Sequence, residues 1–317
     1  MLEEKSKLDL NSLVTVVVPT LNEEEAIARV IQELQSVGLR NVMVIDGYSR
    51  DKTTEIAEKA GATVFLQQGR GKTGALKTAI DQVQTPFMLI IDGDFTYDAS
   101  SIDRLVRHMD HYDEVIGARV PTDPKSMTGL HRFGNRLITK LFNTMMNTGL
   151  SDVCSGLYIL RTDKMREIDL ATSGFDVEVE IAAQMATSGR ITEVPCNYRP
   201  RVGRQKLSTW KGGFRIVKSI FGLARSYNPG VFYSMLGSLL LIPAGIFLAI
   251  SFLQWLSSDV MSNSWFFVGL SMLLVAIQSM SVGVVSLIMR RAELRINRRL
   301  NSLGAKQIVE RQNRISE

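Results

Sequence analysis

The sequence predicts an α/β domain with a mostly parallel sheet, followed by an interfacial amphipathic helix and two membrane-spanning helices. Three observations carry this reading. Short apolar runs alternate with helical patterns over the first two-thirds of the chain, two long uncharged runs follow, and the charge of the two parts differs. Residues 1–210 hold 25 Lys+Arg against 28 Asp+Glu, a net of −3, whereas residues 211–317 hold 12 against 4, a net of +8. The positive charges of the second part flank apolar runs, which fits anionic lipid and the positive-inside rule and disfavours nucleic acid as a partner.

The elements follow in order. Candidate strands are 14–18, 41–45, 63–66, 87–91, 114–117 and 191–194, and helices are expected at 23–36, 51–60, 73–82 and 99–109. Strands alternating with helices of this length predict a sheet covered on both faces, with its ligands at the carboxyl ends of the strands. Pro19 to Asn22, Asp46 to Ser49 and Asp92 to Asp94 each follow a strand at once, so three polar clusters should meet along one sheet edge.

No charge occurs between Ser226 and Ser258, nor between Val260 and Met289. Each run exceeds the roughly 20 apolar residues that cross about 30 Å of hydrocarbon. Ser257, Ser258, Asp259, Ser262, Asn263 and Ser264 form the polar turn between them. Arg225 precedes the first run, and Arg290, Arg291, Arg295, Arg298 and Arg299 follow the second, which puts both ends in the cytoplasm. Two buried core helices of a soluble domain are disfavoured, because nothing else in the chain could surround two such rods. Trp210, Phe214, Val217, Phe221 and Ala224 recur at helical spacing among Lys211, Arg215, Lys218 and Arg225, the pattern of a helix lying in the membrane interface, with a helix packed on its own sheet as the alternative. The expected organisation is a cytoplasmic catalytic domain at 1–209, an interfacial helix at 210–229, a transmembrane hairpin at 230–289 and a basic cytoplasmic tail at 290–317. The polar start, MLEEKSKLDLNSL, has no apolar core of a signal peptide, in keeping with a cytoplasmic domain. Cys154 and Cys196 stand in no metal-ligand spacing, so neither a disulfide framework nor a zinc site is indicated.

Asp92-Gly93-Asp94, after the apolar run PFMLII, is the sharpest chemical signal. Two carboxylates separated by one small residue can hold a hard divalent cation, Mg or Mn, which bridges diphosphate oxygens. Gly71-Lys72-Thr73 imitates the end of a phosphate-binding P-loop, but Leu66 stands where the first glycine is required, so that reading fails. Gly69-x-Gly71-x-x-Gly74 satisfies a dinucleotide-binding pattern, which keeps an oxidoreductase open as an alternative. It comes after two strand–helix units and leaves Asp94 without a purpose.

The segments VVVPTLNEEEAIARVI, IDGYSRDKT, GRGKTGALKTAI, LIIDGDFTY and NYRPRVGRQKLS, in this order, resemble family 2 glycosyltransferases of the GT-A fold, specifically dolichyl-phosphate sugar synthases. Within that group the chain looks most like archaeal enzymes that load glucose or N-acetylglucosamine onto dolichyl phosphate for protein N-glycosylation. The resemblance implies a nucleotide-sugar donor, a dolichyl or polyprenyl phosphate acceptor and a divalent metal. It also implies roles. Pro19, Asn22, Glu23, Asp46, Lys72, Asp92 and Gly93 would bind the donor, and Asp92, Asp94 and Thr96 the metal. Arg119, Arg132, Arg201 and Lys206 would meet the acceptor phosphate, and Asp152, Arg119 and Arg201 would serve catalysis, Asp152 as an orienting group more than as a base.

The sequence departs from the family pattern where Thr96 replaces a metal-binding Gln, Gly47 an Asp, Gln205 a Ser of the phosphate clamp and His131 an acceptor-binding Ser. These departures favour a UDP-sugar over GDP-mannose. Arg132, Arg136 and Lys140 share helical spacing and also fit a solvated helix face; His108 and His111 receive no role. A processive polysaccharide synthase is disfavoured because none of Trp210, Trp255 or Trp265 follows an Arg.

Overall fold

A computed structural model describes residues 10–170, 177–203, 222, 225, 229–258 and 263–316. The chain divides into two compact units, residues 1–220 and 221–317.

In the first unit β1 (Val14–Thr20), β2 (Val42–Asp46), β3 (Thr63–Leu66), β4 (Phe87–Ile90), β5 (Glu114–Pro121), β6 (Tyr158–Arg161) and β7 (Ile191–Tyr198) form one sheet in the order β3-β2-β1-β4-β6-β5-β7. A short helical turn, Leu10–Leu13, precedes β1, and the helices after it are α1 (Ile27–Ser36), α2 (Thr53–Lys59), α3 (Gly71–Gln82), α4 (Ile102–His108), α5 (Gly129–Met146), α6 (Thr162–Glu167) and α7 (Val177–Ser188). All neighbours pair in parallel except β6, which runs against both β4 and β5. Valines of β1 and β2 are buried because helices cover both faces, which is why these strands read as unbroken apolar runs.

The six expected strands and four expected helices are present, with ends that shift by a few residues. The fourth helix opens with a 3-10 turn, Ala99–Ser101. Two strands run four residues further than expected: β5 and β7 pair from Glu114↔Ile191 to Pro121↔Tyr198. This extension carries Arg119 and, just past Tyr198, Arg201 to the site. The sequence reading named neither β6 nor α7. β6 is only four residues, Tyr-Ile-Leu-Arg, and α7 begins Val-Glu-Val-Glu-Ile, an alternation that imitates a half-exposed strand although both glutamates are buried.

The second unit consists of α8 (Pro229–Ser258) and α9 (Asn263–Ser316). Pro229–Ser257 and Asn263–Met289 have mean hydropathies of 2.3 and 2.1, and little of either is buried. They are long and apolar enough to be candidate membrane spans. Gly230, Gly237, Ala244 and Ser251 recur every seventh residue on α8, as do Gly269, Ala276 and Gly283 on α9. A Cβ at Gly237 would lie 2.7 Å from the Ala276 carbonyl oxygen, and one at Gly283 2.9 Å from that of Gly230. Small residues thus let the two backbones meet, as in lipid, where helix association depends on close packing. The expected basic tail continues α9 as helix to Ser316. Lys206 and most of the expected interfacial helix at 210–229 lie outside the described residues.

Candidate active site

The carboxyl edge of β1, β2 and β4 is built from three tight loops. Each places one non-glycine residue in the left-handed region, Asn22 (φ 53°), Tyr48 (φ 65°) and Phe95 (φ 63°). Such residues persist where surrounding contacts over-determine them, and they cluster at functional sites. Here the contacts are visible. The Asn22 amide donates to Ser49 Oγ (2.7 Å), Asn22 Oδ1 accepts from the Arg50 amide (2.7 Å), and the Glu23 amide donates to Thr53 Oγ1 (2.8 Å). Asp46, buried at the end of β2 beside Pro19 of β1 and its neighbour Thr20, accepts from the Ser49 amide and hydroxyl at 2.8 and 2.5 Å. The β4 loop is locked to β1 by Gly93: a Cβ there would meet Thr20 Cγ2 at 2.8 Å. Pro19, Asn22, Glu23, Asp46 and Gly93 are thereby brought into one continuous edge.

Three charged clusters stand along that edge. In the first, Arg201 bridges two loops, with Nη1 3.0 Å from Asp94 Oδ2 and Nη2 bonded to Glu23 Oε1. Thr96 Oγ1 donates to Asp94 Oδ1 at 2.6 Å, so Thr96 braces Asp94. The chain after β7 holds this loop in place: the Arg199 amide donates to the Thr96 carbonyl (2.7 Å), the Val202 amide to that of Asp94 (3.2 Å), and the Arg199 guanidinium lies 4.2 Å over the Phe95 ring. Burial and the negative charge of Asp92 push the Asp94 carboxyl up, against the Thr96 hydrogen bond and Arg201.

In the second cluster, Lys72 Nζ sits 2.6 Å from Asp92 Oδ1 and 2.5 Å from Glu178 Oε1. Burial pulls the Lys72 ammonium down, but Asp92 and Glu178 outweigh it and hold it well above its ordinary value, so it stays charged. Sequence reasoning missed Glu178. Its only signal was a carboxylate inside an apolar helical run. Gly156 closes the other side of Asp92: a Cβ there would overlap Asp92 Oδ2. The Gly156 amide donates to Tyr97 Oη (2.6 Å), which fixes this close approach.

In the third cluster, Arg119 grips Asp152 through Nε (2.6 Å), Nη2 (2.7 Å) and its amide (3.0 Å), and Asn135 Nδ2 of α5 adds 2.9 Å to Oδ1. Burial raises the Asp152 carboxyl, but the Arg119 bonds and charge, with Asn135, more than reverse this and leave it below the usual carboxylate range. Asn135 was missed, having no local motif. Arg132 stands on the exposed side of α5 and makes no side-chain hydrogen bond to these clusters among the described residues.

No group of three or more His, Cys, Asp or Glu side chains that could hold a metal occurs among the described residues. The residues nonetheless fit a hard cation that the substrate helps to ligate: two adjacent carboxylates and a hydroxyl give an all-oxygen donor set, and burial together with the charge of Asp92 raises the Asp94 carboxyl, a cost that a cation between the two relieves.

Residues 15–169 match the sequence profile described as glycosyl transferase family 2. The glycosyltransferase AglJ of Haloferax volcanii is 33% identical over 280 residues, covering 86% of this chain and 92% of that protein. The chain belongs to glycosyl transferase family 2. A dolichyl-phosphate hexose transferase of the same organism is 33% identical over 209 residues, 65% of this chain and 91% of the relative. Among solved structures, glucosyl-3-phosphoglycerate synthase from Mycobacterium tuberculosis with Mn2+, UDP-glucose and phosphoglyceric acid superposes with a TM-score of 0.58 at 19% identity, over 71% of this chain and 83% of that one. The same synthase with Mg2+ and UDP gives a TM-score of 0.57 at 20% identity, over 72% and 83%. The fold of the first unit is therefore GT-A, and the chain is a glycosyltransferase.

Proposed function

We propose that this glycosyltransferase moves a hexose from a nucleoside-diphosphate sugar to dolichyl or another polyprenyl phosphate, with inversion at the anomeric carbon. UDP-glucose or UDP-N-acetylglucosamine is favoured over GDP-mannose. The observation that carries the reading is Arg201, which ties the loop after β1 to Asp94. A cation at that position faces the place where two phosphates, one leaving and one attacking, must be managed. The relative named for dolichyl-phosphate hexose transfer and the fold neighbours that bind UDP support the same assignment.

In this reading Pro19, Asn22, Glu23 and Asp46 receive the nucleotide, and Asp92 and Asp94, with Thr96 beside them, hold a Mg or Mn ion. Such an ion supplies charge stabilisation to the departing diphosphate. Lys72 gives a second positive charge at Asp92. A lipid monophosphate has a second pKa of about 6, so at neutral pH it is already a nucleophilic anion and needs little base catalysis. The doubly gripped Asp152 suits that chemistry: it orients Arg119 for the acceptor phosphate and has no free lone-pair face aimed at a proton. Arg132 and Lys206 would extend the cationic path for the acceptor. One displacement inverts the anomeric centre.

The uncharged runs of α8 and α9 would anchor the enzyme, with both termini and the catalytic domain on the cytoplasmic side. A Ser258→Cys variant should then be labelled only from outside sealed cells and a Ser302→Cys variant only from the cytoplasm; the opposite pattern overturns the topology. The activity is tested by incubating membranes with UDP-glucose, UDP-N-acetylglucosamine and GDP-mannose in parallel, with dolichyl phosphate, and determining the product anomer. Arg201→Ala should lower transfer by about a hundredfold, since a charge-assisted contact in a partly dehydrated site is lost. Equal turnover on a water-soluble acceptor without lipid phosphate would refute the acceptor.

A further inference from the structure

Three non-glycine residues at the carboxyl edge of the sheet share a left-handed backbone, and two of them have an evident reason to stay there. Asn22 belongs to a residue type that tolerates this conformation, and its side-chain oxygen accepts the Arg50 amide. Phe95 lies beneath the Arg199 guanidinium, 4.2 Å from its ring. Tyr48 has neither advantage. It sits at φ 65°, where a bulky residue is a genuine outlier, it is 60% exposed, and its side chain makes no hydrogen bond or ring contact among the described residues. Its neighbours, by contrast, are pinned on both sides. The Gly47 amide donates to the Thr20 carbonyl (2.8 Å), Ser49 donates twice to Asp46, and the Arg50 amide donates to Asn22. The loop thus holds a strained backbone beneath a ring left largely in water. Glycine would make the same turn without strain.

What the ring can engage follows from its place in the sheet. In the order β3-β2-β1-β4, Asp92 and Asp94 stand after β4 and Tyr48 after β2, two strands away, which is roughly 10 Å at the spacing of neighbouring strands. In the donor reading proposed above, on which this inference rests, the diphosphate lies at those carboxylates. The part of the donor that reaches across β1 is then the nucleoside, with its base furthest out. Leu21, directly after β1, and Leu66, the last residue of β3 and the register partner of Asp46, are also exposed there. Exposed apolar side chains on three neighbouring chain segments, beside the buried Asp46 carboxylate, suit a flat heteroaromatic ring that is apolar on both faces and carries N–H groups on its edge. A phosphate would gain nothing from them. We infer that Tyr48 is a donor-binding residue whose ring stacks on the nucleobase, with Leu21 and Leu66 bordering the same slot. The strained loop is then the means by which the ring is set in advance: locked on both sides, it leaves little to be ordered when the base arrives.

The test reads binding and stability, on the full chain in detergent micelles with Mn2+. Calorimetric titrations use UDP, GDP and inorganic pyrophosphate, which has the diphosphate but no base. Tyr48→Ala should weaken the tighter-binding nucleotide about tenfold or more, the usual loss when one base–aromatic stack is removed, and should leave pyrophosphate within about twofold. Tyr48→Phe should bind that nucleotide within about twofold of the wild type, since the ring is kept. Tyr48→Gly should bind it as weakly as Tyr48→Ala and yet raise the Tm by about 2 °C or more, because the strain disappears and little packing is lost. Nucleotide affinity unchanged in the Ala and Gly variants overturns the inference. So does a lowered Tm in Tyr48→Gly with nucleotide and pyrophosphate weakened alike, which would mean that the ring only shapes the loop. If the wild-type chain itself binds neither UDP nor GDP, the nucleotide-donor reading fails and the stacking falls with it; if it binds one of them and the variants bind equally well, the stacking alone is wrong.

Discussion

The two units of the chain solve opposite problems with the same side chains. Ile90 on β4 is wholly buried, whereas Ile242 on α8 is 65% exposed, and Leu89 and Leu239 differ in the same way. In the first unit apolar groups fill the interior, and Asp94, Lys72, Glu178 and Asp152 lie in charged pairs. In the hairpin the large apolar groups face outward and the seam is made of Gly, Ala and Ser. The difference fits the membrane-spanning role proposed for the hairpin. Water drives apolar surface inward and makes an unpaired buried charge costly, while hydrocarbon gives no such drive and leaves association to close backbone packing.

That contrast breaks most completely at the charged pairs. Asp94→Ala removes one carboxylate of the adjacent pair and frees Arg201 and Thr96 from their common partner. Transfer should fall by about a thousandfold or more, by analogy with the loss of a preorganised charge-stabilising group. Circular dichroism should remain that of the wild type, because the core strands are untouched. Activity within tenfold of wild type, or activity indifferent to a chelator, would remove the metal role from this pair.

The next largest effect is expected where the first unit itself depends on a missing side chain. Gly156→Ala would put a methyl group on Asp92 Oδ2, and the carboxylate must move away from Lys72 or from the position facing Asp94. We expect a loss of about a hundredfold in kcat, since displacements near 1 Å cost that much. The apparent affinity for Mn2+ should weaken in parallel, and a variant that kept it would show that Asp92 is free to shift.

Much of this arrangement was legible in the sequence, for reasons that differ by element. β1, β2 and β4 are buried on both faces, so their apolar runs announce a parallel sheet, and the polar residues that follow them lie at its functional edge by topology alone. Asp92 and Asp94 needed no more than that. Lys72 stood out as a cation in a glycine-rich loop, but its partner Glu178 lies far away in sequence, on a helix whose opening alternation resembles a strand. Gly156 and Asn135 act through contacts that only the fold creates. The seven-residue spacing of small residues in α8 and α9 was present in the sequence but acquires meaning only when each small residue is found facing the other helix.

In the hairpin the corresponding lesion is Gly237→Leu. The added side chain would collide with Ala276 and Met280 on α9. Separating the helices should weaken their association by roughly 1–3 kcal/mol, the usual cost of overpacking. Crosslinking by a short bifunctional thiol reagent between Phe247→Cys and Trp265→Cys, whose native rings stack 5.2 Å apart across the two helices, should drop accordingly in membranes, while nucleotide binding by the first unit stays unchanged. Unaltered crosslinking would mean that the small-residue seam does not set the helix distance.

The smallest effect on transfer, and the clearest on stability, is expected at Glu114. This residue opens β5 and is buried, and its Oε2 has no hydrogen-bond partner among the described residues. Burial alone pushes its carboxyl from 4.5 up to about 8. The unfolded chain releases this proton near the lower value, whereas the folded chain keeps it until the higher one. Between them the folded state binds more protons than the unfolded state, so stability falls as pH rises from about 5 to 8, and the whole penalty is present above that window. Glu114→Gln keeps the shape and has no proton to release. Its Tm in detergent should therefore match that of the wild type near pH 5 and exceed it at pH 8 by about 5 °C or more, a few kcal/mol spread over a domain of this size. An equal shift at both pH values would assign the effect to packing or hydrogen bonding instead of to the buried proton. Because Glu114 contacts none of the three charged clusters through a hydrogen bond or ion pair given by the structure, kcat at pH 7 should change by less than about twofold.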